Sequence, residues 1–140
     1  MALRGEGRQP MEQQVRVLIA DDRLTTRQGL RALLALLPQV EVIGEATDGD
    51  ESIRLVSERQ PDVVLMDMQM PVMDGVDATR RIKRQWPEVR VIVLTMYARY
   101  RAEALAAGAD AFLLKDGAVD TLAGAILGQV CGPSGQSAVP

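Results

Sequence analysis

Three aspartates, a threonine and a lysine lie at the ends of short apolar runs in this 140-residue chain. They are Asp21, Asp22, Asp67, Thr95 and Lys115. Carboxylates that lie close together repel and raise one another's pKa unless a cation sits among them. A set of hard oxygen ligands suits Mg²⁺ better than a soft metal. Beside such a cation and the Lys115 ammonium, Asp67 is a candidate nucleophile toward phosphorus, and Thr95 could donate a hydrogen bond to a phosphoryl oxygen.

Each of these residues also has an ordinary structural explanation. Aspartate is a favoured capping residue, so Asp22 could simply cap the first helix. Asp67 could be a turn residue ahead of Pro71, and Lys115 could be a solvated strand end. Because all five residues coincide at strand ends, a shared site is the preferred interpretation.

The chain alternates between strand-like and helical patterns. Five apolar segments predict strands at residues 15–20, 40–45, 62–67, 89–95 and 111–115. Helical spacing of apolar residues predicts helices at residues 24–37, 50–60, from the Asp74-Gly75 loop to Trp86, 99–107 and 119–130. Gly108 stands where a left-handed helix cap is expected. Strict alternation of this kind predicts an α/β fold, a doubly wound parallel sheet with helices on both faces.

The distribution of charge among the strands predicts their order. Residues 63–66 and 91–94 are continuously apolar, as expected of central parallel strands that are buried on both faces. The second strand carries Glu41 and Glu45 and should therefore be an edge. This pattern fits the order 2-1-3-4-5, in which ligands bind at the carboxyl ends of the strands. The five candidate residues all lie at that end.

Composition excludes several classes of function. The chain has no histidine and one cysteine, so it can build neither a Ser-His-Asp triad nor a His-ligated zinc site. One cysteine also excludes an internal disulfide and fits a reducing compartment. A net charge of −3 argues against a general nucleic-acid surface. No apolar run approaches the ~20 residues of a membrane span. We therefore expect a cytoplasmic protein.

Four short segments carry a resemblance to a known family. They are Ala20-Asp21-Asp22, LMDMQMPVMDG at residues 65–75, Leu94-Thr95, and GADAFLLKD at residues 108–116. Over about residues 15–130 the chain resembles the receiver domain of two-component response regulators, which has a flavodoxin-like fold. The Lys-Asp ending and the Leu-Thr-Met run look most like receivers that precede a helix-turn-helix output domain of the NarL/FixJ (LuxR-type) class.

The resemblance implies a magnesium site and a phosphorylated residue. Asp67 would be the phosphoacceptor and also a metal ligand. Asp22 would be a direct Mg²⁺ ligand, and Asp21 a ligand largely through water. The main-chain carbonyl of Gln69 would complete the ligands that the protein supplies.

The same resemblance implies a signalling switch that catalyses only its own phosphorylation and dephosphorylation. Lys115 would contact the phosphoryl group. Thr95 and Phe112 would form a switch pair, with the hydroxyl drawn to the phosphate and the ring turning inward. The implied partners are a sensor histidine kinase and, on phosphorylation, a second copy of the chain. Control of transcription would require DNA contact through an attached output domain. We expect no membrane partner.

After Thr95 the chain departs from the family pattern. The connection to Lys115 is about two residues shorter than usual, and Met96-Tyr97-Ala98-Arg99 replaces the usual acidic or amide pair. We expect this change to alter the fourth helix, and hence signal output more than chemistry. The bulky Met96 is expected to restrict access to the phosphorylation site. Asp116 follows the lysine where the family often has proline, and a cis bond without proline would cost roughly 3 kcal/mol.

These patterns predict a receiver domain at residues 14–131, a flexible N-terminal extension at 1–13 and a linker or tail at 132–140. The output domain would be absent from this chain. One alternative is a receiver-like scaffold that signals without phosphate. Another is a small phosphatase with an Asp nucleophile, although such enzymes usually carry a second acid where Gln69 stands. A flavin-binding module is disfavoured, because acids follow the first strand where a phosphate cradle needs Gly, Ser or Thr.

Overall fold

Five strands form one parallel sheet in the computed structural model, which describes residues 14–128. The strands are β1 Val15–Ala20, β2 Val40–Ala46, β3 Val63–Met66, β4 Arg90–Thr95 and β5 Ala111–Leu114. Their order in the sheet is β2-β1-β3-β4-β5, and each neighbouring pair is parallel. The predicted fold class and strand order are therefore confirmed. The predicted extension at 1–13 and tail at 132–140 lie outside the described residues.

The described residues contain five α-helices, of which four connect successive strands and the fifth follows β5. They are α1 Leu24–Leu34, α2 Gly49–Arg59, α3 Gly75–Gln85, α4 Arg101–Ala106 and α5 Val119–Leu127. The predicted first helix ran to Leu37, which is three residues too far. Its last turn is tightened, because Leu36 N–H and Leu37 N–H donate to the carbonyls three residues earlier. Val130, the last residue of the predicted fifth helix, lies outside the described residues.

The fourth helix differs most from its prediction. Instead of one α-helix at residues 99–107, a 3₁₀ turn at Ala98–Tyr100 precedes the six-residue α4. No side chain caps either segment, whereas Asp48 and Asp74 accept hydrogen bonds at the starts of α2 and α3. That the short connection causes this start stays a prediction. Gly108 follows the helix with φ +102°, in the left-handed region predicted for it.

The sheet separates two apolar cores. Helices α2, α3 and α4 cover one face, where the buried side chains include Val56, Ile82 and Ala104. Helices α1 and α5 cover the other face, with Leu34 and Ile126 fully buried. Strand β3 is buried throughout, as predicted for a central strand with apolar neighbours on both sides. Both layers hold the carboxyl ends of the strands in fixed positions.

One of the two glutamates of the edge strand β2 forms ion pairs that stabilise the fold. Glu41 is exposed, whereas Glu45 is partly buried and forms ion pairs with Arg27 and Arg31 of α1. Hydrogen bonds from Arg31 and Arg27 hold the pKa of the Glu45 carboxyl below its ordinary value, although burial opposes this effect. The pairs therefore stabilise the fold above the ordinary carboxyl pKa, and this contribution is lost as the pH falls through the lowered pKa.

None of the helices within residues 14–128 has the length and apolar character needed to cross a bilayer.

Replacement of Val72 with asparagine should stabilise the fold by about 1 kcal/mol, because left-handed backbone costs an L-residue roughly that much. Val72 has φ +68° and an exposed side chain, so little packing is lost when it is replaced. Asparagine tolerates the left-handed region better than a β-branched residue. Chemical denaturation of both proteins measures the difference. Leu36→Asn, at an exposed residue without positive φ, should give no such gain. An equal gain in both variants would contradict the strain argument.

Candidate functional site

The candidate residues lie next to one another because their strands are neighbours. The pairing of Ala20 with Met66 brings the ends of β1 and β3 together, and Asp21 and Asp67 follow directly. Main-chain hydrogen bonds continue past the ends of these strands. Asp67 N–H donates to the Ala20 carbonyl at 2.9 Å, and Lys115 N–H donates to the Thr95 carbonyl at 2.8 Å. The backbone therefore places all the candidate side chains at one end of the sheet, as predicted.

Three carboxylates form the centre of the site. Asp21, Asp22 and Asp67 each offer an oxygen, and these oxygens lie within 4.8 Å of one another. Asp21 and Asp67 are buried, whereas Asp22 is exposed to solvent. The residue at the N-cap of α1 is Arg23, and no side chain provides a capping bond there. The alternative in which Asp22 caps the first helix is therefore wrong.

Lys115 lies within the carboxylate cluster. Its Nζ donates to Asp21 Oδ2 at 2.7 Å and lies 3.2 Å from Asp67 Oδ1. Its side chain is only 13 % exposed, so the alternative of a solvated strand end is wrong. Asp21 also accepts a hydrogen bond from Arg23 N–H at its other oxygen, at 2.8 Å. Both oxygens of Asp21 are therefore engaged, while Asp67 shares the ammonium and also accepts from the Met68 N–H.

Burial raises the pKa of the Asp67 carboxyl above its ordinary value. The Lys115 ammonium and the Met68 N–H lower this pKa, and the Asp21 charge raises it, so the net direction is upward. A buried carboxyl with a raised pKa beside other titratable groups is typical of functional sites, although structural networks also produce such shifts. A cation in the cluster would oppose the shift by favouring the ionised form.

The arrangement fits a magnesium ion. Three carboxylates face one ammonium, which leaves negative charge for a divalent cation to balance. All the donors are oxygens, and Mg²⁺ is usually held by one or two carboxylates with several waters. Exposed Asp22 lines an open cleft, so those waters have room. Asp21, Asp22 and Asp67 are the side chains that could hold the ion.

A cleft of about 370 Å³ opens directly above Asp67. Its lining includes Asp22, Arg23, Asp67, Gln69, Met70, Pro71, Thr95, Met96, Tyr97 and Lys115. Thr95 is buried, and its Oγ1 accepts a 3.4 Å hydrogen bond from Tyr97 N–H. A hydroxyl that accepts one bond still carries a proton to donate. Met96 is half exposed on the cleft wall, where its bulk was expected to narrow access. The cleft can thus admit a phosphoryl group between a nucleophile and several donors.

Phe112 lies on the same side of the sheet as Thr95, one strand away. The register pairs Val93 with Phe112 and Thr95 with Leu114, so Phe112 is set back from the site by two residues. Its ring is partly buried against the core beneath α2, α3 and α4. The structure therefore places the proposed switch pair on one face, and their coupled movement stays a prediction.

Sequence reasoning missed an aromatic cluster, of which Tyr97 lines the cleft. The Arg99 guanidinium stacks over the rings of Tyr97 and Tyr100, 4.5 and 4.9 Å from their centroids. Tyr100 Oη accepts a 2.6 Å hydrogen bond from the side-chain amide of Gln69. This bond ties the segment after Asp67 to the segment after Thr95. The sequence feature that could have indicated this cluster is that both tyrosines of the chain lie at residues 97–100.

The bond between Lys115 and Asp116 is trans, and no cis peptide occurs in the described part of the chain.

Comparison with known proteins identifies the family. A family model for the response regulator receiver domain matches residues 17–127. The chain belongs to this family. The match confirms the resemblance that the sequence motifs indicated. Receiver domains bind Mg²⁺ at an acidic pocket, and the described residues include an acidic cluster. The assignment of individual site residues stays a prediction.

Relatives of this receiver are regulators of transcription. The uncharacterized transcriptional regulatory protein YhcZ of Bacillus subtilis is 44% identical over 104 residues, covering 73% of this chain and 49% of YhcZ. A LuxR family response regulator from Aurantimonas has a similar structure, with a TM-score of 0.79 and 31% identity over 87% of this chain and 89% of that one. The NarL receiver domain of Mycobacterium tuberculosis gives a TM-score of 0.76 and 34% identity over 83% and 95%. The chain spans about half the length of the curated relatives it matches.

Proposed function

We propose that this receiver accepts a phosphoryl group on Asp67 from a partner histidine kinase, in the presence of Mg²⁺. The observation that carries the proposal is the position of Asp67, buried at the floor of an open cleft between Asp21 and Lys115. A nucleophile, its balancing cation and a space for the phosphoryl group occur together there. These 140 residues contain no histidine, so a phosphohistidine donor would lie outside them.

The transfer would exchange one bond to phosphorus for another. An oxygen of the Asp67 carboxylate bonds to phosphorus while the bond between phosphorus and the donor nitrogen breaks. The leaving nitrogen keeps the electron pair. Lys115 Nζ, 3.2 Å from Asp67, would neutralise the phosphoryl charge, and the Thr95 hydroxyl would donate to a phosphoryl oxygen. Bound Mg²⁺ would supply further charge neutralisation, held by Asp21, Asp22, Asp67 and the main-chain carbonyl of Gln69.

Phosphorylation would then change the surface of the domain. A phosphate brings about −1.5 to −2 charge and new acceptor oxygens. Only contacts that differ between two states can shift their balance, so Thr95 and Lys115 must move toward the phosphate. Lys115 is now shared between Asp21 and Asp67 and can redistribute its hydrogen bonds. The elements attached to these residues are β4, α4, β5 and α5, and their surface would report the change.

The proposal extends to control of transcription through an attached DNA-binding domain. The curated relatives are named as transcriptional regulators and are about twice as long as the match. The receiver would contact DNA only through that domain, would pair with a second copy when phosphorylated, and would work in the cytoplasm. Its catalysis would be confined to its own phosphorylation and dephosphorylation.

A receiver that signals without phosphate is a second candidate, supported by the six-residue α4 and the 3₁₀ turn before it. This candidate predicts that hydrogen exchange in α4 stays the same when a phosphate mimic and Mg²⁺ are added. A phosphate-linked change in exchange would reject it.

Incubation with acetyl phosphate and Mg²⁺ should add the mass of one phosphoryl group to the protein, because the cleft brings the Asp67 nucleophile and its cations together. Intact-mass spectrometry measures the adduct, and peptide mapping should locate it at Asp67. Omission of Mg²⁺ provides the control and should sharply reduce the yield. An adduct elsewhere, or steady release of phosphate from a phosphomonoester, would contradict the proposal and the latter would favour a phosphatase.

A further inference from the structure

Arg27 links the edge strand to the acidic cluster. It lies on α1, and its side chain is only 12 % exposed. Its Nε donates to Glu45 Oε1 at 2.7 Å, and its Nη1 donates to the main-chain carbonyl of Asp21 at 2.8 Å. One partly buried guanidinium therefore joins β2 to the peptide group between Asp21 and Asp22. No motif in the sequence pointed to this residue.

The hydrogen bond to the Asp21 carbonyl completes the fixation of the loop between β1 and α1. Asp21 N–H donates to the Ala46 carbonyl at 3.0 Å, and Asp21 Oδ1 accepts from Arg23 N–H at 2.8 Å. With Arg27 bound to the main-chain carbonyl, the N–H, the main-chain oxygen and both carboxylate oxygens of Asp21 all have hydrogen-bond partners. Asp22 follows this carbonyl in the chain, and no side-chain capping bond is made at the start of α1. The direction of the Asp22 side chain therefore depends on the orientation of this peptide group.

We propose that Arg27 is a positioning residue, which orients the Asp21–Asp22 peptide so that the Asp22 carboxylate meets a divalent cation. This inference rests on the metal site of the proposed function. Groups that bind metal ligands from behind commonly set metal affinity, because they fix the ligand's orientation before the ion arrives. Here the orienting bond acts on the backbone that carries the ligand.

Glu45 makes this arrangement compatible with a cation nearby. An unpaired guanidinium behind the cluster would repel Mg²⁺. The Glu45 carboxylate, which Arg27 shares with Arg31, partly offsets the charge of Arg27 and fixes the plane of its guanidinium through Nε, so that Nη1 is directed at the Asp21 carbonyl. Arg27 therefore contributes orientation while its positive charge is partly offset.

Arg31 offers a matched control. It also pairs with Glu45, but its side chain is about half exposed and it lies one helical turn further from the acidic loop. Its ion pair goes to Glu45 Oε2, whereas the bond to the Asp21 carbonyl comes from Arg27. Loss of Arg31 weakens the ion-pair network and leaves the positioning bond in place.

The test is a calorimetric Mg²⁺ titration of the unphosphorylated chain, with melting temperatures recorded for every variant. Arg27→Gln should weaken Mg²⁺ binding about tenfold, in line with other groups that orient ligands. Arg31→Gln should stay within about twofold of the parent. Arg27→Lys keeps the positive charge and the aliphatic part of the side chain but loses the forked guanidinium donors. Its Mg²⁺ affinity should therefore lie between those of Arg27→Gln and Arg31→Gln, and it replaces Arg27→Gln in the test if that variant does not fold.

Equal Mg²⁺ affinity in Arg27→Gln and the parent would overturn the inference, and so would equal weakening in Arg27→Gln and Arg31→Gln. Asp22→Asn separates this failure from failure of the proposed site. If Asp22→Asn loses affinity while Arg27→Gln does not, only the positioning role is wrong. If the parent chain itself binds no Mg²⁺ at millimolar concentration, the metal site and the inference both fail.

Discussion

Asp67→Asn should abolish the phosphoryl adduct and, at the same time, raise the stability of the fold at neutral pH. The adduct is lost because an amide is not a nucleophile toward phosphorus at this position. Stability rises because the buried Asp67 carboxylate, with its raised pKa, is replaced by a neutral group of the same shape. Asparagine Oδ1 can still accept from Lys115. Without Mg²⁺ at pH 7, the melting temperature should increase by a few degrees.

The pH dependence of this gain follows from the direction of the pKa shift. Below the ordinary carboxyl pKa, Asp67 is protonated in both the folded and unfolded states, and the substitution should change little. As the pH rises toward and through the raised folded pKa, the folded state must ionise a buried group that the unfolded chain ionises more easily. The parent loses stability over this range and the variant does not.

Melting curves of Asp67→Asn and the parent, recorded from about pH 3.5 to pH 8, measure this difference. Asp116→Asn is the control, since it removes an exposed carboxylate that neighbours Lys115 in sequence. It should shift the melting temperature little at any pH. A variant that melts below the parent at pH 7, or an equal gain across the pH range, would contradict the assigned direction. Mg²⁺ should narrow the gap at pH 7 by stabilising the parent.

The prediction implies that this site opposes folding in the metal-free protein. Asp21, Asp22 and Asp67 converge within 4.8 Å, and one ammonium offsets them incompletely. A domain that bound nothing there would gain stability by replacing one of these acids. Their presence is therefore explained better by a ligand that supplies positive charge than by any contribution to the fold.

The sequence was sufficient to predict the sheet and the position of the site, for a simple physical reason. Parallel strands place their carboxyl ends at one edge, so residues that end β1, β3, β4 and β5 must meet. The apolar runs of β3 and β4 and the charge on β2 then favoured the observed strand order. These inferences need only the alternation of elements and the polarity of each strand.

What the sequence could not predict are contacts between side chains of distant elements. The bond from Gln69 to Tyr100 joins residues 31 apart, and the ion pair from Arg27 to Glu45 joins residues 18 apart. Neither residue type nor spacing specifies these partners, because long side chains reach many neighbours. The split of the fourth helix escaped prediction for a different reason. Alanine-rich sequence favours helix throughout residues 98–107, and only the absence of a capping side chain showed where the first turn would tighten.

Gly75→Ala should destabilise the fold by about 3 kcal/mol, because there is no space for a side chain at this position. A Cβ atom on Gly75 would lie 1.9 Å from the main-chain oxygen of Asp67 and 2.9 Å from Met68 Cα. Both obstacles are backbone, which cannot turn aside as a flexible side chain would. Gly75 N–H also donates to the Met68 carbonyl at 2.9 Å, so the start of α3 is held against the segment that carries Asp67. Denaturant unfolding of the variant and the parent measures the loss.

Gly29→Ala separates this steric effect from the general effect of replacing glycine. Gly29 lies inside α1 with nothing within 4 Å of an added Cβ, so alanine should stabilise the helix by about 0.5–1 kcal/mol. Opposite signs in the two variants are the expected result. If Gly75→Ala folds with parental stability, α3 does not lie against Asp67 as described. Should it fold after a backbone shift, the displaced Asp67 would accept phosphate more slowly, because the same peptide that obstructs the methyl group carries the nucleophile.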